Sequence, residues 1–405
     1  MSEWMPARLG DHLTRVKRKV SLKDGVKYAA VSVTKDGQGL GDKEPFIGGL
    51  TNYDSLYRVQ AGDVVLRAIT AFESPVGIAQ PEHAGTHVSG VFLTYEVGPS
   101  MLPGYLRLFF QTPLLWREMQ QRATGSVLRR KTISDVSFRA IPVPSPALPE
   151  QRRIVDIIES VDALVDILGR EIASARRVLH CVLTDHFVVA TGNQHSVVDL
   201  CSDVIGGIWG SPPGEGEVDL LALGPRIYAA GTTGFVTDGS PMRSFSLKQV
   251  KRRRVRLNDI ILERSGGSPE QPVGRVVIAG EGLSPCIPTD FQRLMRPDPE
   301  KVEPRYLFWR LRHDWSTGLT RAFSRRTTGI TNLSVKEYIA RRVSVPSRED
   351  QKALVEAADI VDANITAIKN ELAGLRTFRS ALLISLLNQE IEIPEPYEAL
   401  LEEAT

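Results

Sequence analysis

Cysteine is scarce: Cys181, Cys201 and Cys286 are the three in 405 residues, an odd number without the short spacing of a metal site. That argues against a secreted disulfide scaffold and makes a reducing cytosol the expected setting. No N-terminal stretch has the charged-then-apolar order of a targeting segment, and no run of about 18 apolar residues is long enough to span a bilayer, so no membrane association is expected. Neither sign of charge dominates, with 50 Lys and Arg against 48 Asp and Glu and a net charge of +2. Signatures of catalysis are missing as well: no P-loop, no methyltransferase-type tetrapeptide, no nucleophile elbow, and seven scattered histidines without helical metal spacing. His180 and His186 read as surface or seam residues of a helix. Gly37-Gln38-Gly39-Leu40-Gly41 has the look of a phosphate-cradling loop, yet that role needs a helix N-terminus next, and Pro45 to Gly49 reads as loop. Asp259 and Glu263 suggest a metal-dependent nuclease pair, but the further acidic ligands of such a site are not nearby. Turn residues opening a strand account for them better.

What is present is an ordinary globular balance, 42% hydrophobic and 24% charged, enough to pack two or three domains at this length. Basic residues cluster at Arg15–Lys19, Arg129–Lys131, Lys251–Arg256 and Arg321–Arg326. Clusters of this kind on a near-neutral chain suit nucleic-acid binding through one face. Four unrelated solvated faces would give the same runs.

The most informative feature is internal repetition. VPSPALPEQRRIVDIIESVDALVDIL from Val143 is echoed by VPSREDQKALVEAADIVDANITAI from Val345, and from Gln151 onward the copies lie 200 residues apart without a gap. Gln151 matches Gln351, Val161 matches Val361, and Asp162-Ala163 match Asp362-Ala363. Upstream, Gly62–Leu66 answers Asn258–Leu262, and Pro75-Val76-Gly77 answers Pro272-Val273-Gly274. Pro103-Gly104-Tyr105-Leu106 answers Pro304-Arg305-Tyr306-Leu307, and Thr124-Gly125 answers Thr328-Gly329. Landmarks kept in order while the intervening residues differ imply one fold used twice with divergent surfaces.

Each copy is then an α+β lobe followed by a long helix. Strands are expected at Tyr28–Val33, Asp63–Leu66, Val88–Val97 and Asp259–Leu262, and helices at Gly104–Arg122 and Arg305–Leu319. The domain reading is residues 1–145 and 191–345 as lobes, 146–190 and 346–390 as helices, and 391–405 as an acidic tail. Ile154, Ile158, Val161, Val165, Leu168 and Ile172 follow a four–three alternation in the first helix. Leu354, Val361, Ile365, Ile368, Leu372 and Leu375 do so in the second, where Arg379 is the one interruption. Such a seam is that of a coiled coil, and coincident registers let each helix partner the other, antiparallel if the lobes are related by a pseudo-twofold. Ordinary amphipathic helices packing on their own lobes are the alternative. Pro144 and Pro149 before the first helix, and Pro394 and Pro396 after the second, mark boundaries.

Taken together, the Pro149-Glu150-Gln151 joint, its Asp350-Gln351 counterpart, the phrase ERSGGSPEQPVGRV and the duplicated lobe-and-helix plan resemble the specificity subunit of type I restriction–modification systems over essentially the whole chain. The resemblance implies two target-recognition domains, each reading half of a bipartite double-stranded DNA target, on two spacer helices, in a phage-defence system. It implies no catalysis and no cofactor on this subunit. S-adenosylmethionine, ATP and Mg would belong to its partners, two adenine methyltransferase subunits and a restriction subunit that translocates DNA. DNA contact is expected first from Arg122, Thr124, Ser126, Arg129, Arg130 and Lys131 in one lobe, and Arg325, Arg326, Thr327, Thr328 and Asn332 in the other. Lys251, Arg252, Arg253, Arg264 and Ser265 come second. An interaction scaffold with weak DNA binding is the alternative function, and a stand-alone nuclease a third.

If the helix pair is a ruler, one heptad inserted after Leu168 and another after Ile368 preserves the seam and adds about 10 Å. Selection from randomised DNA should then return the same two half-sites with an altered, longer spacer. Changed half-sites around an unchanged spacer would show that the helices do not set the distance.

Overall fold

A computed structural model describes residues 4, 7–127, 131–228, 233–235, 237–267, 271–327, 330–391 and 393. The chain divides into two compact units, Met1–Ile167 with Leu372–Thr405, and Leu168–Glu371. The architecture is α+β, and each long helix gives one stretch to each unit.

The duplication is written into the strand order. In the first unit Leu13–Val16, Phe92–Val97, Val64–Arg67 and Val76–Ile78 lie side by side in that order, antiparallel throughout. Cys201–Gly206, Gln292–Pro297, Ile260–Glu263 and Val276–Ile278 repeat the order in the second. A short clasp ties the start of each lobe to its end: Ala7–Arg8 pairs with Pro142–Val143, and Asn193–Ser196 with Arg342–Val345. The second sheets diverge. The first unit orders Lys19–Ser21, Ser55–Arg58, His87–Val88, Lys27–Val33 and Leu40–Ile47 in five strands, while the second, among the described residues, orders Met242–Phe245, Val218–Leu223 and Cys286–Pro288 in three.

The GDVVL and NDIIL echo proves to be a turn with a buried carboxylate. Gly62 and Asn258 both take left-handed backbone, at φ 84° and 67°, which glycine and asparagine tolerate best. Their N–H groups donate to Ala79 O at 2.7 Å and Ala279 O at 2.9 Å. The next residues, Asp63 and Asp259, are buried. Asp63 accepts from Gln60 N and Asp259 from Arg256 N, and they pair with Arg18 at 2.6 Å and Arg296 at 2.9 Å. Glu263, fully buried, pairs with Arg275 at 2.6 Å. Asp259 and Glu263 are thus each neutralised by their own arginine, as structural residues. Among the described residues no group of three His, Cys, Asp or Glu is placed to hold a metal.

Two landmarks align differently from their sequence echo. Arg67 N–H donates to Pro75 O, but the equivalent Glu263 N–H donates to Arg275 O, so Pro75 corresponds to Arg275 and not to Pro272. The connection into that strand is longer in the second unit, which shifts the register. Likewise Thr124, bridged to Thr132, occupies the place of Arg325, bridged to Asn332, whereas Thr328 and Gly329 lie outside the described residues.

Several element boundaries also move. The helix expected over Gly104–Arg122 is two, Pro103–Phe110 and Pro113–Arg122, because Pro113 cannot continue the first and Thr112 caps the second. Val88–Val97 is broken into His87–Val88 and Phe92–Val97. The helix Pro304–Ser316 stops short of Leu319, with Gly318 left-handed just beyond it. The stretch through Pro45 read as loop is the edge strand Leu40–Ile47, with an irregularity in its pairing; an edge is where a strand admits proline. Pro394 and Pro396 lie outside the described residues.

The long helices span Leu148–Val189 and Arg348–Leu387. All the seam residues named above are buried or half-buried, while Ala163, Leu164, Asp166 and Ile167 between them are exposed. In the first unit the helices meet at Asp162, whose carboxylate accepts from Arg379 Nη2 at 2.8 Å; Arg379 also reaches Gln111 at 3.1 Å. In the second, Leu179, Leu183, Asp362 and Ile365 line one cavity. Early residues of one helix therefore meet late residues of the other, and the pairing is antiparallel. Arg379, the break in the seam, is an interhelical ion pair. Where the first helix begins, Ile154 and Ile158 share a core with Phe109, Val143, Leu383 and Leu386, so that end packs on its own lobe. There the stripe meets its own lobe and the other long helix in one core, so the helices pair with each other and do not pack on their lobes alone.

The joint motif has a direct physical role. Gln151, fully buried, accepts from Leu102 N at 2.8 Å and donates to Ser100 O and Pro146 O. Gln351 accepts from Glu303 N at 2.8 Å and donates to Pro346 O. Leu102 and Glu303 are the N-caps of the helices Pro103–Phe110 and Pro304–Ser316. One amide thus ties a lobe helix to a long helix. No described helix is long and apolar enough to cross a membrane. The three cysteines are free, and burial pushes the thiols of Cys201 and Cys286 up to about 12.

Gln151→Leu keeps the volume but orphans a buried N–H and two carbonyls. It should destabilise the first unit by about 3 kcal/mol, read as a lower urea midpoint for that unit. A loss below about 0.5 kcal/mol would mean the amide is not the staple.

Candidate nucleic-acid interface

In the second unit Ser324–Thr327 and Ile330–Leu333 form a hairpin, and Ser265–Gly266 pairs with the second strand from the other side. The register sets Ser265, Asn332 and Arg325 in one row and Gly266, Thr331 and Arg326 in the next. Rows alternate between faces, so Arg325 and Arg326 point to opposite sides, and both are exposed. Ser265 Oγ donates to Asn332 Oδ1 at 2.5 Å. Arg264 anchors the arrangement through its backbone, its N–H donating to Phe291 O and its carbonyl accepting from Leu333 N, both at 2.8 Å. The structure thereby gathers Arg264 and Ser265 beside Arg325, Arg326 and Asn332.

The first unit builds the same scaffold. Ala68 N–H donates to Val91 O and Ile133 N–H to Ala68 O, both at 3.0 Å, while Ile69 and Thr124 each bridge Thr132. Ala68, Ile69, Val91, Thr124 and Thr132 therefore stand where the second unit has Arg264, Ser265, Phe291, Arg325 and Asn332. Backbone bonds hold the register, and the side chains are free to differ. Apolar side chains are left in the open here: Ile69 is 40% exposed and Ile330 48%.

The other candidates are placed as follows. Arg122 ends its helix in an ion pair with Glu118 at 2.7 Å. Ser126 is exposed, and Lys131 is half-buried with its carbonyl accepting from Ala71 N. Lys251 and Arg252 are exposed on the helix Leu247–Arg253, which Ser246 caps, and Arg253 Nε donates to Gly206 O at 3.0 Å. Arg325 also meets Glu337 at 2.6 Å, with both side chains more than half exposed; such a pair contributes little to stability. Arg129, Arg130, Thr328 and the side chain of Thr327 lie outside the described residues.

Sequence reasoning missed Arg293. It pairs across the sheet with Gly206 on one side and Leu262 on the other, half-buried, with Nη1 donating to Gln292 O at 2.8 Å. Burial, and next the charge of Arg264, hold its guanidinium below the ordinary arginine range. The equivalent residue opposite Leu66 is Leu93. Setting Leu93 against Arg293 at the 200-residue offset would have singled it out. Trp209, 40% exposed, with the Arg243 guanidinium 5.2 Å from its ring centre, was missed too.

No family model matches the chain. A type I restriction enzyme specificity subunit of Methanocaldococcus jannaschii is 21% identical to it over 166 residues, 38% of this chain and 38% of that protein. The likeness thus spans about two fifths of that relative. A chain in a structure of type I restriction–modification complex assembly and conformational transition matches 96% of this chain and 98% of its own, with a TM-score of 0.60 and 18% identity. The S subunit of a type I system from M. genitalium matches 96% and 97%, with a TM-score of 0.54 and 12% identity. The fold is that of type I restriction–modification S subunits.

Because backbone bonds fix the hairpin, exchanging an outward side chain should be nearly free. Arg325→Thr, the first unit's residue, should change stability by less than about 0.5 kcal/mol, whereas Ser265→Ala should cost about 1 kcal/mol by removing the donor to Asn332. Thermal unfolding of both variants checks this, and the reverse order would mean that the arginine is part of the scaffold.

Proposed function

We propose that this chain is the DNA-recognition subunit of a type I restriction–modification complex, with one half of a bipartite double-stranded target read by each unit. One observation carries the reading: the same hairpin scaffold is built twice with its backbone register kept and its side chains exchanged. A reader of two different half-sites needs that combination. Arginines at the hairpin supply phosphate contacts, and Asn332, Thr124 and Thr132 can reach base edges. Exposed apolar groups such as Ile69 and Ile330 suit thymine methyls. The type I relative supports the same reading.

The reading assigns no chemistry to the chain itself. Two methyltransferase subunits and a restriction–translocation subunit would dock on it in the cytoplasm, bringing S-adenosylmethionine, ATP and Mg. Catalysis would be theirs.

Co-expressed with an adenine methyltransferase subunit, the chain should appear in native mass spectrometry as one copy with two. That complex should bind duplex DNA with a strong salt dependence, and Arg325→Ala with Arg326→Ala should flatten the slope by about one unit for each phosphate no longer held. A one-to-one complex at all ratios, or a complex indifferent to DNA, would favour a protein scaffold instead.

A further inference from the structure

The second unit sets two arginines at one glycine and a third within reach of the first. Gly206 is paired directly with Arg293, and its carbonyl accepts from Arg253 Nε at 3.0 Å. With no side chain at Gly206, the flank of Arg293 is left open; a Cβ there would lie 3.8 Å from the guanidinium carbon. Arg264 lies close enough to Arg293 to oppose its charge, and Asp290 is within electrostatic reach. Yet among the described residues neither Arg264, Arg293 nor Arg253 forms an ion pair with a carboxylate.

That pattern differs from two other half-buried arginines of the same unit. Arg296 and Arg275 are each matched by their own acid, Asp259 and Glu263. Desolvating a guanidinium beside another cation is costly unless an anion completes the set. The first unit has no such need, because Leu93 and Ala68 occupy the equivalent positions.

Resting on the DNA-binding reading above, we infer that Arg264 and Arg293, with Arg253 behind Gly206, form a clamp for a DNA backbone phosphate that the second unit has and the first lacks. Arginine suits this because its planar fork presents paired N–H donors to phosphate oxygens. The clamp positions the duplex and carries no sequence information. The second unit then holds DNA of any sequence more firmly at this place than the first does.

The first unit supplies the control. Arg293→Leu with Arg264→Ala installs the side chains that the same scaffold already carries there, so the variant should fold, which circular dichroism and the urea midpoint verify. The full chain in complex with its methyltransferase subunits is titrated by fluorescence anisotropy against a random-sequence 40-base-pair duplex and a duplex selected from a randomised library, over a range of salt. The expected result is a slope of log K against log salt flatter by about 0.9 if one phosphate is released and about 1.8 if two are, on both duplexes, with their affinity ratio unchanged. An unchanged slope overturns the clamp, and so does a collapsed affinity ratio at constant slope, since the arginines would then be reading bases. If the wild-type complex binds neither duplex, the recognition reading itself falls and the clamp with it.

Discussion

Each lobe must be fixed to a helix of some forty residues, and one buried amide at the base of each helix does it. Gln151 and Gln351 sit where a lobe helix starts, where a long helix starts and where the connecting chain arrives. A helix N-terminus presents N–H groups with no partner in their own helix, and the arriving chain brings carbonyls that need donors: Gln151 serves one N–H and two carbonyls, Gln351 one of each. A glutamine offers both an acceptor and donors on a side chain long enough to reach them. Glutamate would lose the donors and leucine would lose everything. The acid just before it differs, Glu150 accepting from Trp4 and Asp350 from Ser347, while the amide itself is the same in both copies.

The same logic explains what the copies may vary. The strand order of the four-stranded sheet, the left-handed turn at Gly62 and Asn258, and the buried aspartate after it recur because each satisfies buried polar groups. The hairpins recur for the same reason, their register carried by backbone bonds at Ala68 and Arg264. Beyond the backbone, the Ser265–Asn332 hydrogen bond is a side-chain tie of the second hairpin, and outward positions such as Arg325 are held by none as strong. Divergence therefore accumulates where it costs least in stability. A recognition surface can be rewritten there without refolding the lobe.

The duplication, the long helices and their seam were legible in the sequence because each is a periodic signal sustained over many residues. Arg379 looked like a fault in that signal because its partner, Asp162, is far away in the chain. Short elements were less legible. Pro45 counts as a breaker unless the strand is known to be an edge, and the Pro-Val-Gly echo is a coincidence of composition that only hydrogen-bond register exposes. For the candidate interface, charge runs pointed to Arg325 and Arg326. The gathering of Arg264 and Ser265 beside them depends on strand pairing across some sixty residues, which no local pattern encodes. Arg293 stayed hidden because a single arginine in an apolar strand forms no run.

Arg293 also shows how one scaffold can acquire a new electrostatic role at low structural cost. Leu93 and Arg293 occupy the same register, opposite Leu66 and Leu262. A leucine there completes a core. An arginine there is tolerated only if its charged head leaves the core while its stem stays in it, as long basic side chains do at apolar boundaries. Gly206 beside it leaves its flank open, Arg253 donates to the Gly206 carbonyl, and Arg264 lies within electrostatic reach. Two replacements relative to the first unit, Leu93 to Arg293 and Ala68 to Arg264, thus bring two cations to one side of the sheet, next to a glycine that leaves the flank of Arg293 open.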